Sequence, residues 1–178
     1  SELGDNEGIG FDPGYDEQRM QSDAAKRLTF IKDFYSEQYS DVKADMVCCK
    51  MTLEHIHDPA DFMVMVRRAI GDATDTVVFF QIPEATRILR DCAFEDIYYE
   101  HCSYFTPGSL ARTFRQAGFQ VTDLGTEYDG QYLTIHALPA TGPGHETLSL
   151  ENDLETVSQY VSDFPARYQA RMAHWRTT

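Results

Sequence analysis

Uninterrupted apolar runs alternating with capped amphipathic stretches are the feature that most constrains this chain. Residues 45–49 (Asp-Met-Val-Cys-Cys) and 76–82 are apolar without a period of two, the pattern of a strand covered on both faces. Between them His57-Asp58-Pro59 opens a helix, with Asp58 as cap and Pro59 at the first position, where no N–H is needed. Phe62, Met65, Val66, Ala69 and Ile70 form its apolar stripe, and Gly71 ends it. Thr106-Pro107 opens a second helix by the same logic, with Leu110, Phe114 and Ala117 inward and Gly118 closing it. A short strand at 9–11 stops at Asp12-Pro13-Gly14, and another at 28–31 ends at Lys32-Asp33, with a helix-compatible stretch at 16–26 between them. Residues 120–127 and 131–137 flank Tyr128-Asp129-Gly130, an antiparallel hairpin signal. The expected fold class is therefore α/β, a sandwich on a mostly parallel sheet that ends in an antiparallel hairpin. Residues 139–144 read as a linker. Beyond it, 148–175 reads as one or two amphipathic helices, with Leu150, Leu154, Val157, Tyr160, Val161 and Phe164 turned toward something they pack on.

Charge narrows the functions. Fifteen Lys and Arg against 29 Asp and Glu give a net charge of −14. A general nucleic-acid binder needs a basic face, and so does a protein that adheres to anionic lipid. No apolar run approaches the roughly 20 residues of a membrane span. The acidic, polar first residues are not a secretory signal, and without Met at residue 1 translation is expected to start upstream. The cysteines at 48, 49, 92 and 102 form no Cys-x-x-Cys pair, so reduced, buried thiols in a cytoplasmic protein are expected.

In open α/β sheets, ligands bind beyond the carboxyl ends of the strands. Here those ends are Asp12, Asp33, the 50–55 segment and Pro83-Glu84. A carboxylate there can accept two hydrogen bonds from a ribose diol, and Asp12 is the best candidate; an exposed turn aspartate is the competing reading. Gly8-Ile9-Gly10 is no phosphate loop, because such a loop follows a strand and opens a helix. Glu54-His55-Ile56-His57-Asp58 holds two His and two acids, but a third ligand cluster is lacking, so no metal is expected. Residues 98–105 place four aromatics, Glu100 and His101 in one connection at the ligand-binding edge. His101 is either a proton acceptor in a pocket wall or a satisfied, partly buried histidine.

The order of these elements and several motifs resemble a known family. Gly10-Phe11-Asp12-Pro13 and Thr52-Leu53-Glu54-His55-Ile56 with Asp58-Pro59 are similar to the second-strand end and the post-fourth-strand segment of class I S-adenosylmethionine-dependent methyltransferases. Phe80-Gln81-Ile82-Pro83, Asp96-Ile97-Tyr98-Tyr99-Glu100-His101, Tyr104-Phe105-Thr106-Pro107-Gly108-Ser109-Leu110, Ala117-Gly118-Phe119 and Gly130-Gln131-Tyr132-Leu133 resemble the sugar C-methyltransferase branch, which acts on nucleotide-linked keto-sugars in deoxysugar biosynthesis. The likeness runs over about residues 8–138.

The resemblance implies a Rossmann-like class I methyltransferase sandwich lacking its first strand and glycine loop. It divides the chain into an incomplete methyltransferase domain at 1–138, a linker at 139–147 and the helical start of a C-terminal domain at 148–178. It implies S-adenosyl-L-methionine as cofactor, a small-molecule partner of nucleotide-sugar type, and no nucleic acid or membrane. His101 would be the base that forms an enolate, with Glu100 and Tyr98 in support. Asp12 would hold the ribose, Asp33 and Phe34 would lie against adenine, and Lys50 and Met51 would line the methionine end. Tyr104 and Tyr132 are substrate-side candidates, and Gln81 stands where the branch usually carries Glu. An O-methyltransferase of the same fold and a non-catalytic module of that fold are the alternatives. A chain without the central strand is expected to be inactive by itself.

Overall fold

The computed structural model describes residues 4–19, 26–142 and 146–177. They group into two compact units, Ser1–Val42 and Lys43–Thr178.

In the first unit β1 (Gly8–Phe11) and β2 (Leu28–Ile31) pair in parallel, with Gly10 opposite Phe30. A Cβ on Gly10 would stand 2.6 Å from the Phe30 ring, so this glycine makes room for an aromatic side chain and not for a phosphate. Tyr15 stacks on the same ring at 4.3 Å, and Phe11 packs against Tyr35 and Tyr39. Of the helix-compatible stretch at 16–26, a helical turn at Glu17–Arg19 and a further helical residue at Lys26 are seen; 20–25 lie outside the described residues.

The second unit holds β3 (Met46–Lys50), α1 (Pro59–Ile70), β4 (Val77–Pro83), α2 (Ala85–Asp91), α3 (Pro107–Gln116), β5 (Phe119–Glu127), β6 (Tyr132–Pro139) and α4 (Leu154–Trp175). Its sheet has the order β3-β4-β6-β5, with β3 and β4 parallel and the other pairs antiparallel. The caps form as expected. Asp58 accepts from the Asp61 N–H at 3.0 Å, and Thr106 and Ser109 form a reciprocal box at the start of α3. Asp129 and Gly130 both take positive φ, and the Gln131 N–H closes the turn on the Tyr128 carbonyl at 3.1 Å. Val78, Phe80 and Ile82 of β4, Leu110 and Phe114 of α3, and Leu133 and Ile135 of β6 make a solvent-free core. The Arg67 guanidinium donates to the carbonyls of Gly71 and Gly118, tying together the glycine-terminated ends of α1 and α3. Among the described residues no helix is long and apolar enough to cross a membrane.

Three sequence expectations need correction. β3 is not covered on both faces: Met46, Cys48 and Lys50, which alternate and so share one face of the strand, are exposed. An apolar run reports a strand but not the neighbours that cover it. The thiols are likewise not all buried; Cys48 and Cys102 are exposed and Cys49 is half-buried, leaving Cys92 inside. Finally, the C-terminal segment is one helix, within the one or two expected, and it continues through Pro165, but its apolar positions do not all turn inward: Leu154 is 72% exposed. α4 instead lies against α2 and the turn that follows it, through arginines and aromatic rings. Phe94 meets Tyr168 at 5.1 Å and Trp175 at 5.3 Å. Arg171 donates to the Asp91 and Cys92 carbonyls and Arg167 to that of Arg90, supplying the end of α2 with donors its own backbone lacks.

The segment before α4 is anchored on α3. Asp153 accepts from the Gly108 N–H at 2.7 Å, and Glu151 takes two hydrogen bonds from Arg115, at 3.1 and 2.5 Å. The N-terminal end of a helix favours a carboxylate in this position.

Candidate active site

The site of the second unit forms where three connections meet. After β3 the chain turns through Met51, whose φ of 50° is unusual for a residue with a side chain. The Met51 N–H is held by the Gln81 carbonyl at 2.8 Å, and the Thr52 hydroxyl donates to the Lys50 carbonyl. A turn at Leu53–His55 then buries Leu53 and Glu54. After β4, Glu84 caps α2 with both carboxylate oxygens, accepting from the Thr86 and Arg87 N–H groups. The aromatic connection is laid directly on the first turn. The Cys102 and Ser103 N–H groups both donate to the Glu54 carbonyl, at 2.7 and 3.2 Å. The Tyr104 hydroxyl accepts from the Tyr98 N–H and donates to the Tyr98 carbonyl, which closes the loop on itself.

This folding fixes the His101 ring among three others: His55 at 4.9 Å, Tyr98 at 5.2 Å and Tyr104 at 5.6 Å. Its Nδ1 is sealed from solvent and has no partner. Burial lowers the His101 pKa, the neighbouring His55 lowers it further, and Glu100 opposes them. The ring is thus neutral at pH 7 and has a lone pair to offer. It stands on a hollow of about 170 Å³ whose wall includes Met51, Arg87, Tyr98, Gln131 and Tyr132. Arg87 is paired with Asp96 on that wall, and its Nε is buried without a partner.

The structure therefore gathers Met51, Tyr98, His101 and Tyr132 around one hollow. Lys50 is exposed at the end of β3. Glu100 is exposed, and among the described residues its carboxylate makes no hydrogen bond to His101; its backbone carbonyl meets His55 Nδ1 at 3.2 Å. Tyr104 has its hydroxyl occupied by the Tyr98 backbone.

In the first unit, Asp12 and Asp33 follow β1 and β2. Asp12 is exposed and spends Oδ1 on the Gly14 N–H at 2.7 Å, as a turn aspartate does. Asp33 accepts from the Tyr39 hydroxyl at 2.7 Å, the Phe34 N–H at 2.8 Å and the Gln38 amide at 3.0 Å. The Tyr39 hydroxyl first, then the Phe34 N–H, hold its carboxyl below the usual range. Phe34 is 73% exposed, an aromatic face with nothing stacked on it among the described residues.

Reading the sequence missed Glu54 and His55 as companions of His101, and Arg87 on the wall of the hollow. The pentapeptide at 54–58 drew attention for its donors, but the third donor arrives from the aromatic connection, which spacing does not reveal. Glu54 is 2% exposed, its Oε1 lies 3.9 Å from His55 Nε2, and burial raises its pKa against the pull of its own backbone N–H, then of His55 and the Thr52 backbone.

Known proteins share parts of this chain. A family model described as "Methyltransferase domain" matches residues 2–124. The chain is 31% identical over 98 residues to the C-methyltransferase NovU of Streptomyces niveus, a match covering 54% of this chain and 23% of NovU. The chain thus matches less than a quarter of that curated relative's length. A structure of the complex between the Haloferax volcanii Trm112 methyltransferase activator and a methyltransferase superposes with a TM-score of 0.58 at 12% identity, covering 79% of this chain and 74% of that one. The N,N-8-amino-8-demethyl-D-riboflavin dimethyltransferase RosA of Streptomyces davawensis gives 0.57 at 16% identity, covering 75% and 42%. The magnesium protoporphyrin IX methyltransferase ChlM of Synechocystis PCC 6803, solved with bound SAH, gives 0.52 at 14% identity, covering 74% and 64%. At such identities these likenesses establish the fold, an α/β arrangement of the Rossmann-like methyltransferase kind.

Proposed function

The chain belongs to the methyltransferase-domain family, and from that premise we propose that it serves carbon methylation of a nucleotide-linked keto-sugar with S-adenosylmethionine as donor. The observation that carries this reading is His101, neutral and walled by tyrosines on a hollow beyond the strand ends. A carbon acceptor must first be made nucleophilic, and this requires a base beside a carbon that is acidified by a neighbouring carbonyl. An oxygen acceptor makes a smaller demand.

The donor supplies an electrophilic methyl group on a sulfonium. Within the first unit, an exposed Asp12 whose Oδ2 makes no hydrogen bond among the described residues suits a ribose diol, and the open face of Phe34 suits a flat base. Asp12 takes the ribose hydroxyls, Asp33 and Phe34 serve the adenine, and Lys50 and Met51 serve the methionine end. His101 removes the proton alpha to the sugar carbonyl. With Nδ1 sealed, Nε2 is the nitrogen that meets substrate. The Tyr98 hydroxyl donates to the oxygen on which enolate charge gathers, Glu100 supports the imidazolium, and Tyr104 and Tyr132 shape the substrate side. The hollow, at about 170 Å³, is smaller than the roughly 300 Å³ of drug-sized sites, so it takes the reacting ring and leaves the nucleotide outside. The likeness to a C-methyltransferase supports carbon over oxygen as the acceptor.

The test is the position of the transferred methyl. With donor carrying a ¹³C methyl and nucleotide-linked keto-sugars as acceptors, the complete protein is expected to yield a carbon-bound methyl by NMR. An oxygen-bound methyl would reject this reading.

A further inference from the structure

We propose that Glu54, His55 and His101 form a binding site for a transition-metal dication of the zinc type. One donor atom from each residue lies within 4.8 Å of the other two. Glu54 is the anchor. A carboxylate removed from water with no side-chain hydrogen bond to either oxygen is costly unless a cation meets it, and among the described residues no basic side chain but His55 comes within ion-pair reach.

The histidines are prepared in the way that metal-binding imidazoles are. His55 Nδ1 faces the Glu100 carbonyl, which can only accept, so Nδ1 carries the proton. His55 Nε2 is then the lone-pair nitrogen, and it lies 3.9 Å from Glu54 Oε1. A backbone carbonyl that fixes the far nitrogen is the usual second layer of a histidine–metal bond. His101 brings an Nδ1 that is sealed and unpartnered. The frame is rigid, since the Cys102 and Ser103 N–H groups bind the segment carrying His101 to the backbone of Glu54.

Two histidines and one carboxylate are a known zinc ligand set that keeps a fourth position for water or a substrate oxygen. At zinc bond lengths of about 2.0–2.2 Å, ligands at a tetrahedral angle lie roughly 3.4 Å apart. The donor atoms, within 4.8 Å of one another, must therefore draw together by side-chain adjustment when the ion binds. Metal binding engages a His101 lone pair, so loading the site and proton removal by His101 exclude each other. That consequence rests on the proposed role of His101 as base; the binding itself does not.

Cobalt(II) titrated into the chain and displaced by zinc(II), followed by visible absorption, reads the site without any assay of activity. One equivalent is expected to bind. Its affinity should fall at least about tenfold in each of E54Q, H55A and H101A. The variants H57A and C48S, changed outside the trio, should bind as the parent does, which separates the site from adventitious imidazole or thiolate. E54Q keeps the shape of the buried residue, and circular dichroism verifies that each variant is folded. Affinity that survives all three changes, or the lack of a stoichiometric site, overturns the proposal whether or not the protein methylates carbon.

Discussion

His101→Ala in the complete protein is expected to lower methyl transfer by about 10²–10⁴-fold, the usual contribution of a positioned general base. The surroundings of the ring suit it to proton removal, since burial and then His55 lower its pKa and the residue lines the hollow. Donor binding should be unaffected, because the residues assigned to the donor are Asp12, Asp33, Phe34, Lys50 and Met51. The loss should therefore appear in kcat, with calorimetric affinity for S-adenosylhomocysteine unchanged. Added imidazole should restore part of the rate, since the cavity left by the ring can admit it. A variant that transfers methyl at the parent rate would remove His101 from the chemistry. One that loses donor affinity to the same degree as rate would make it a structural residue of the pocket.

Gly108→Ala is expected to release the C-terminal segment and to cost about 1–3 kcal/mol, the usual range for forced overpacking. A Cβ there would overlap the Asp153 carboxylate and stand 2.5 Å from the Glu151 carbonyl oxygen. The segment must then back away from α3, which gives up the Gly108 N–H to Asp153 bond and strains the neighbouring Arg115–Glu151 pair. Arg115 and Glu151 are both largely buried, so separating them leaves charges with little access to water. Urea unfolding gives the loss of stability, and limited proteolysis between 142 and 154 should become faster. A variant with parent stability and parent cleavage would show that the segment does not depend on this contact.

The parts of the fold that were legible in the sequence are those decided by local chemistry. Asp58 and Thr106 cap helices because a side-chain oxygen can reach an N–H within one turn. Asp129 and Gly130 make a hairpin because both tolerate positive φ. Contacts set by distant segments were not legible. The apolar run at 45–49 identified β3 but could not show that it borders its sheet. The face of α4 that packs is aromatic and basic, because α2 ends in carbonyls that need donors. Gly108 stood inside a motif, but its need to be glycine comes from Asp153 and Glu151. At the site, His101 could be picked out as the titratable group of an aromatic connection. Glu54 could not be joined to it, because its carboxylate and the imidazole meet only after two connections are hydrogen-bonded to each other.

If this site takes a proton from carbon before methyl transfer, the acceptor must lose that hydrogen for good. A nucleotide-linked keto-sugar deuterated at the carbon beside its carbonyl records the loss in the mass of the methylated product. Carbon methylation through an enolate replaces a deuteron with the methyl group. The predicted result is a product lacking one deuteron, formed by the complete protein and scarcely by its His101→Ala variant. A methylated product that keeps every deuteron would contradict proton removal from carbon, and with it the role assigned to His101.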